Sequence, residues 1–247
     1  QMGFRRHLTS GEIVAQVLHY ARQLKTENLR LTNVVLMGMG EPLYNFDNVK
    51  TAMDIVSDGE GISLSKRRIT LSTSGVVPEI IRAGEEIGTG LAISLHGTTD
   101  EIRNKLVPLN KKYPIAELLA ACRAYPGASN AKRVTFEYVM LKDVNDTDED
   151  LKRLPGLIKD IPSKVNLIPY NQNAGLGWFS PDRERVAVWQ DQLLKNGITA
   201  TIRWSKGDDI DAACGQLATV HREKRQRGNV QSENSLGETA EPEIAGA

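Results

Sequence analysis

Apolar residues recur along this chain in two alternating periods, one of three to four residues and one of two, as helices and strands in succession would produce. Thr9 and Glu12 stand at capping-box spacing, and Ile13, Val14, Val17, Leu18, Ala21 and Leu24 fall on one helical face behind them. A strand is predicted over residues 33–39, and Asn45 or Asp47 is expected to cap a helix carrying Val49, Met53 and Val56. The pattern then repeats. RRITLSTSG (67–75) precedes helical VPEIIRAGEEIG, and GLAISLHG (90–97) precedes DEIRNKL and IAELLAACRAY. KRVTFEYVML (132–141) precedes a helix near 147–160, SKVNLIPYN (163–171) one at 181–196, and ITATIRW (198–204) comes last. Such alternation predicts βα units, hence an α/β fold with a parallel sheet and its helices outside. Six strands are too many for a small flavodoxin-like unit and too few for a closed eight-stranded barrel, so a partial, open βα barrel is expected over residues 1–220. From there HREKRQRGNVQSENSLGETAEPEIAGA starts basic, turns polar and holds almost no large apolar residue. Residues 221–247 are therefore expected to form a tail, disordered from 228 onward.

Composition narrows the function classes. Lys and Arg number 31 and Asp and Glu 31 among 247 residues, so any polyanionic partner must be met by local patches rather than by net charge. Basic residues cluster at Arg5 and Arg6, at Lys66 to Arg68, at Lys111 and Lys112, and at Arg222, Lys224, Arg225 and Arg227. Two cysteines, Cys122 and Cys214, make no disulfide scaffold, and no CxxC or Cys/His cluster offers a zinc or iron–sulfur site. With no apolar run of membrane-spanning length and no signal peptide, a soluble protein of the reducing cytoplasm is expected, with no membrane partner. A chain that opens on Gln1 directly into structured-looking sequence suggests a piece of a longer protein.

The candidate chemistry collects where strands end. LMGMGEPL (36–43) reads as a buried strand delivering a glycine-rich turn and one carboxylate, Glu41. Later strands end in Ser72 to Ser74, in Ser94 and His96, in Glu137 and in Asn171. In a βα fold all these ends share one rim, and their donors and acceptors suit a polar ligand. Each also has an ordinary use: Ser72, Thr73 or Ser74 could finish a turn, and His96 could bond a loop backbone. Glu137 alternates with Thr135 and Val139, so it could point into the barrel, where a strand-end Arg or Lys could pair with it or a ligand could use it, a structural and a ligand role standing equal. GDDIDAACGQL (207–217) lacks the spacing of a calcium loop. Its Cys214 sits among small neighbours, as a reacting thiol needs, whereas Cys122 in LLAACRAY reads as a packing residue.

MGMGEPL, LSKRRITLSTSGVVP, AISLHG, RVTFEYVML, VNLIPYN and GDDIDAACGQL, in that order, closely resemble the radical S-adenosylmethionine (SAM) enzymes that methylate adenosine C2 in ribosomal and transfer RNA, the RlmN family. The likeness runs from Gly3 to about Arg227. It implies that Gly40 and Glu41 hold the methionyl ammonium of SAM, that Ser72, Ser94, Leu95, His96 and Asn171 complete the SAM site, and that Cys214 is the catalytic cysteine methylated as an intermediate. It further implies a 4Fe-4S cluster, 23S rRNA and tRNA as substrates, and an electron donor such as a flavodoxin-type reductant. The family's CxxxCxxC, its first strand and its upstream RNA-binding domain have no counterpart in this sequence, so the chain by itself is expected to bind no cluster and to be inactive. A C8-adenosine methylase of the antibiotic-resistance type and a silent SAM-binding barrel fragment are the alternatives.

Overall fold

Each strand pairs in parallel with the next in sequence, giving one six-stranded sheet of order β1 to β6 with no strand inserted out of turn. The computed structural model describes residues 4–171 and 177–204. It runs α1 (Ser10–Thr26), β1 (Val34–Leu36), a 3₁₀ turn (Pro42–Asn45), α2 (Phe46–Ser57), β2 (Ile69–Thr73), α3 (Val77–Glu86) and β3 (Gly90–Ser94). After these come α4 (Asp100–Leu106), α5 (Ile115–Arg123), β4 (Val134–Met140), α6 (Asp148–Ile158), β5 (Ser163–Pro169), α7 (Arg183–Lys195) and β6 (Thr199–Ile202). Right-handed crossovers between neighbouring parallel strands put every connecting helix on the same face of the sheet. One face is thereby buried and the other left uncovered by these helices.

The strand register shows the division. Ile69 and Leu71, Leu91 and Ile93, Phe136 and Tyr138, and Val165 and Leu167 alternate onto the helix-covered face, where they join Met53, Ile80, Leu118, Leu154 and Trp189 in one core. The intervening positions, Thr70, Ser72, Ala92, Ser94, Thr135, Glu137, Lys164, Asn166 and Thr201, share the opposite face by the same register. A closed barrel would need large apolar side chains there. Small and polar ones instead leave an open trough.

Helix starts follow local sequence. Thr9 and Glu12 form the expected capping box of α1, and Thr99, Thr147 and Asp182 cap α4, α6 and α7. Asn45 occupies the N-cap position of α2, one of the two expected, but makes no side-chain cap hydrogen bond. Asn45 donates to the Leu8 carbonyl at 2.8 Å, and Asp47 pairs with Arg82. The chain enters α2 through the 3₁₀ turn, which Glu41 caps. The strand expected over 33–39 is only Val34–Leu36, because the chain leaves the sheet for a turn in which Gly40 has φ +92°. The expected tail and the acidic loop at 207–217 lie outside the described residues. No described helix is long and apolar enough to cross a membrane.

Candidate active site

At the carboxyl rim the first two strand ends are joined through one carboxylate. Glu41 Oε2 accepts from the Ser74 N–H at 2.8 Å and its hydroxyl at 2.7 Å, while Oε1 accepts from the Leu43 N–H at 3.1 Å. An ionised carboxylate offers about four acceptor positions. Among the described residues three are in use and one on Oε1 remains, in a group already oriented by its neighbours. Thr73 has the ordinary role, its hydroxyl accepting from the Gly75 and Val76 N–H groups at 3.0 and 3.4 Å. Ser72 lies on the trough face, next to Ala92 of β3.

The third strand end turns sharply at His96, whose φ of +54° is unusual for a side-chain-bearing residue. Its Nδ1 accepts from the Val139 N–H at 3.1 Å, so a neutral ring carries its proton on Nε2. Burial, with the Arg103 cation adding to it, pulls the imidazole down to about 4. His96 is thus both a loop fastener and a neutral Nε2–H donor at working pH. Ser94 is half-buried beside Glu137, its register partner. Leu95 has no exposed side chain, its N–H bonds the Glu137 carbonyl at 3.0 Å and its carbonyl accepts from Arg103 at 3.1 Å. It therefore shapes the rim from below.

A sign follows for pH. His96 is neutral in the fold and protonates near 6.5 when unfolded, so stability is expected to fall as pH drops from about 6.5 towards about 4. The loss is at most about 3 kcal/mol by linkage at 1.36 kcal/mol per pKa unit. Denaturant midpoints measured at pH 7.0, 5.5 and 4.5 should show it, and His96→Gln should flatten that part of the curve.

Two further residues hold this rim without any motif to announce them. Arg103, 1 % exposed, donates to the carbonyls of Ser74 (2.6 Å), Ser94 (3.1 Å) and Leu95 (3.1 Å) and to Asn110 Oδ1 (2.7 Å). One guanidinium so ties the ends of β2 and β3 together. Burial lowers it to about 10, with Asp100 opposing the shift. Asn145, fully buried, donates to the His96 and Val139 carbonyls at 2.9 and 2.7 Å and accepts from the Leu141 N–H at 2.7 Å. The signal for Arg103 is an arginine on the apolar side of a short helix just after a strand-end turn. A lone asparagine in a loop gives none.

Glu137 does face the trough, and the ion pair open to it is not made. Among the described residues its carboxylate accepts from Asn166 Nδ2 at 2.9 Å, and no Lys or Arg is within ion-pair distance. Burial raises its pKa, with Asn166, Arg203 and Lys164 opposing. Asn171 lies two residues beyond the end of β5, at the same rim. Cys214 lies outside the described residues. Cys122 is a core residue whose thiol burial pushes up to about 12.

Residues 6–154 fit the model of the radical SAM superfamily, and the chain belongs to it. Among its relatives, the dual-specificity RNA methyltransferase RlmN of Parvibaculum lavamentivorans is 60 % identical over 220 residues, 86 % of this chain and 55 % of that protein. RlmN of Sinorhizobium fredii is 55 % identical over 235 residues, 90 % of this chain and 57 % of the relative. The chain thus spans about half the length of these curated relatives. A crystal structure of a radical SAM methyltransferase from Sphaerobacter thermophilus superposes with a TM-score of 0.82 at 46 % identity, over 87 % of this chain and 63 % of that one.

Proposed function

We propose that this chain is the SAM-binding core of an RNA methyltransferase that adds a methyl group to C2 of adenosine in 23S rRNA and tRNA, through a methylated Cys214. In this reading residues 1–220 are the partial barrel, 221–247 are a tail, the protein is cytoplasmic, and a flavodoxin-type protein is the reductant. The observation that carries it is the Glu41 carboxylate, fixed by Ser74 and Leu43 yet keeping one acceptor position at the trough mouth. The identity to the RlmN relatives supports the substrate.

The residues present fit SAM. Glu41 is an acceptor for its ammonium, Gly40 lets a ligand approach the backbone closely, and His96 Nε2–H is a donor for an adenine nitrogen. Ser72, Ser94 and Asn171 lie at the same rim and complete the site, with Leu95 packed beneath it. They do not fit a 4Fe-4S cluster: the chain has two cysteines in no CxxxCxxC, and among the described residues no three His, Cys, Asp or Glu could hold a metal ion. When bound, SAM supplies a transferable methyl group and, with a cluster, one-electron chemistry. The protein orients the amino end through Glu41 and keeps His96 uncharged, so the adenine edge meets a donor that does not titrate near neutrality.

Nucleoside mass spectrometry of RNA from a methylase-deficient strain expressing the intact protein tests the product. 2-Methyladenosine is expected, 8-methyladenosine would reassign the carbon, and no methyladenosine would sink the proposal. Glu41→Ala should weaken SAM binding to the intact protein by about 10- to 100-fold, since a charge-assisted hydrogen bond contributes about 1.5–3 kcal/mol. Calorimetry giving equal affinities would remove Glu41 from the site.

A further inference from the structure

Among the described residues the basic clusters do not share one face, and the topology sorts them. A helix that precedes a parallel strand must run back toward that strand's start, so α1 and α5 both begin at the carboxyl rim. The segment before α1, with Arg5, Arg6 and His7, is therefore at the rim, as are Lys111 and Lys112 before α5. Arg67 and Arg68 come directly before β2, at the opposite end, beside Lys66 in its ion pair with Asp54.

Aromatic side chains are interleaved with the rim cations. Phe4 is 76 % and Tyr44 52 % exposed. The Lys112 ammonium lies 5.1 Å from the Tyr113 ring centroid and close enough to the Tyr44 phenol to feel it. The 4–9 segment is fastened to the Tyr44 turn through Asn45 to the Leu8 carbonyl and through the Ser10 N–H to Asn48. Arg6 is committed to Glu12, but Arg5, Lys111 and Lys112 have no ion pair among the described residues. Across the trough, the turns after β4 and before α7 carry both signs: Asp148 pairs with Arg185 at 2.7 Å, and Lys142 and Arg183 are exposed beside Asp143 and Asp182. Glu41 stands on the same rim as the unpaired cations Arg5, Lys111 and Lys112.

We propose that this arc, Arg5, Tyr44, Lys111, Lys112 and Tyr113, is a docking surface for single-stranded RNA. The cations take backbone phosphates and Tyr44 takes the face of an unpaired base beside the trough mouth. An acidic protein would satisfy the lysines but would leave an exposed tyrosine beside them without a use, and a duplex would keep its bases out of reach. The inference rests on the proposed RNA methyltransferase reading and names where that substrate lies.

The intact protein is titrated with a fluorescent 12-nucleotide single-stranded RNA over a range of KCl concentrations, with SAM affinity measured alongside. Lys111→Gln with Lys112→Gln should weaken RNA binding and reduce the slope of log K against log salt by about 1.4, at about 0.7 per phosphate contact on a single strand. Tyr44→Ala should weaken binding about 5- to 100-fold with the slope kept, as lost base stacking does. Arg67→Gln with Arg68→Gln, at the far end, should change neither, and SAM affinity should hold throughout. An unchanged slope in the double lysine variant overturns the docking surface, and so does equal loss in the far-end variant. If the parent itself binds no RNA while binding SAM, the function reading fails instead. Binding of an acidic peptide in place of RNA, lost in the same variants, would replace the partner and overturn the proposal.

Discussion

Intact protein carrying Cys214→Ala is expected to transfer no methyl group to RNA, while Cys122→Ala keeps the chemistry. The proposed route needs a sulfur that accepts a methyl group and later gives up its carbon, and alanine has no lone pair to begin it. The second cysteine of the chain cannot stand in. Cys122 is fully buried in the core, and its thiol is held up to about 12, so almost none is thiolate near neutrality. Losing that sulfur from the core should cost stability instead, by about 1 kcal/mol for a group of that size. Isotope-labelled SAM with mass analysis of RNA and protein separates the two, and methyl transfer retained by Cys214→Ala would remove the assigned route.

Arg103→Met is expected to cost roughly 3 kcal/mol or more of stability and to loosen the site. Three carbonyls and Asn110 would lose their donor in a place water does not reach, at about 1–3 kcal/mol for a buried group left unpaired. Methionine nearly preserves the volume, so cavity formation adds little. At roughly 2–4 °C per kcal/mol for a domain of this size, the melting midpoint should drop by about 6–12 °C or more. Arg103→Lys should recover only part of that, because one ammonium lacks the planar fork that reaches both strand ends. A second readout separates positioning from mere packing. Without the nearby cation the His96 imidazole should titrate at higher pH, visible in its ring-proton NMR shifts. An unchanged midpoint in Arg103→Met would show that the carbonyls find other donors.

Much of the fold was legible because its signals are local. The Thr9 capping box, the period switches and the strand-end glycines are each contained within a few residues, and the structure places every expected strand and helix close to where they predict. Where expectation failed, a distant residue had the final say. Asn45 stood correctly for a cap, but its Oδ1 accepts from Asn48 Nδ2 while its Nδ2 donates to the Leu8 carbonyl across the turn. Glu137 stood correctly to face the trough, yet its partner is Asn166 of the next strand, which register alone selects. Ser72, Ser94 and His96 are brought to one rim as expected, and Leu95 goes beneath it.

By itself the chain's sequence determined the class: the order of βα units, the sidedness of each strand, and the motif set of a radical SAM enzyme. Those properties depend on periodicity and on residue types close together along the chain. Only the tertiary structure decided that Arg103 and Asn145 fasten the site, that Glu41 keeps one acceptor position, and that Lys111 rather than Arg67 shares the rim with it. These depend on which groups meet across strands after the helices fold back. Hydrogen-bond partners tens of residues apart leave no period in the sequence to find.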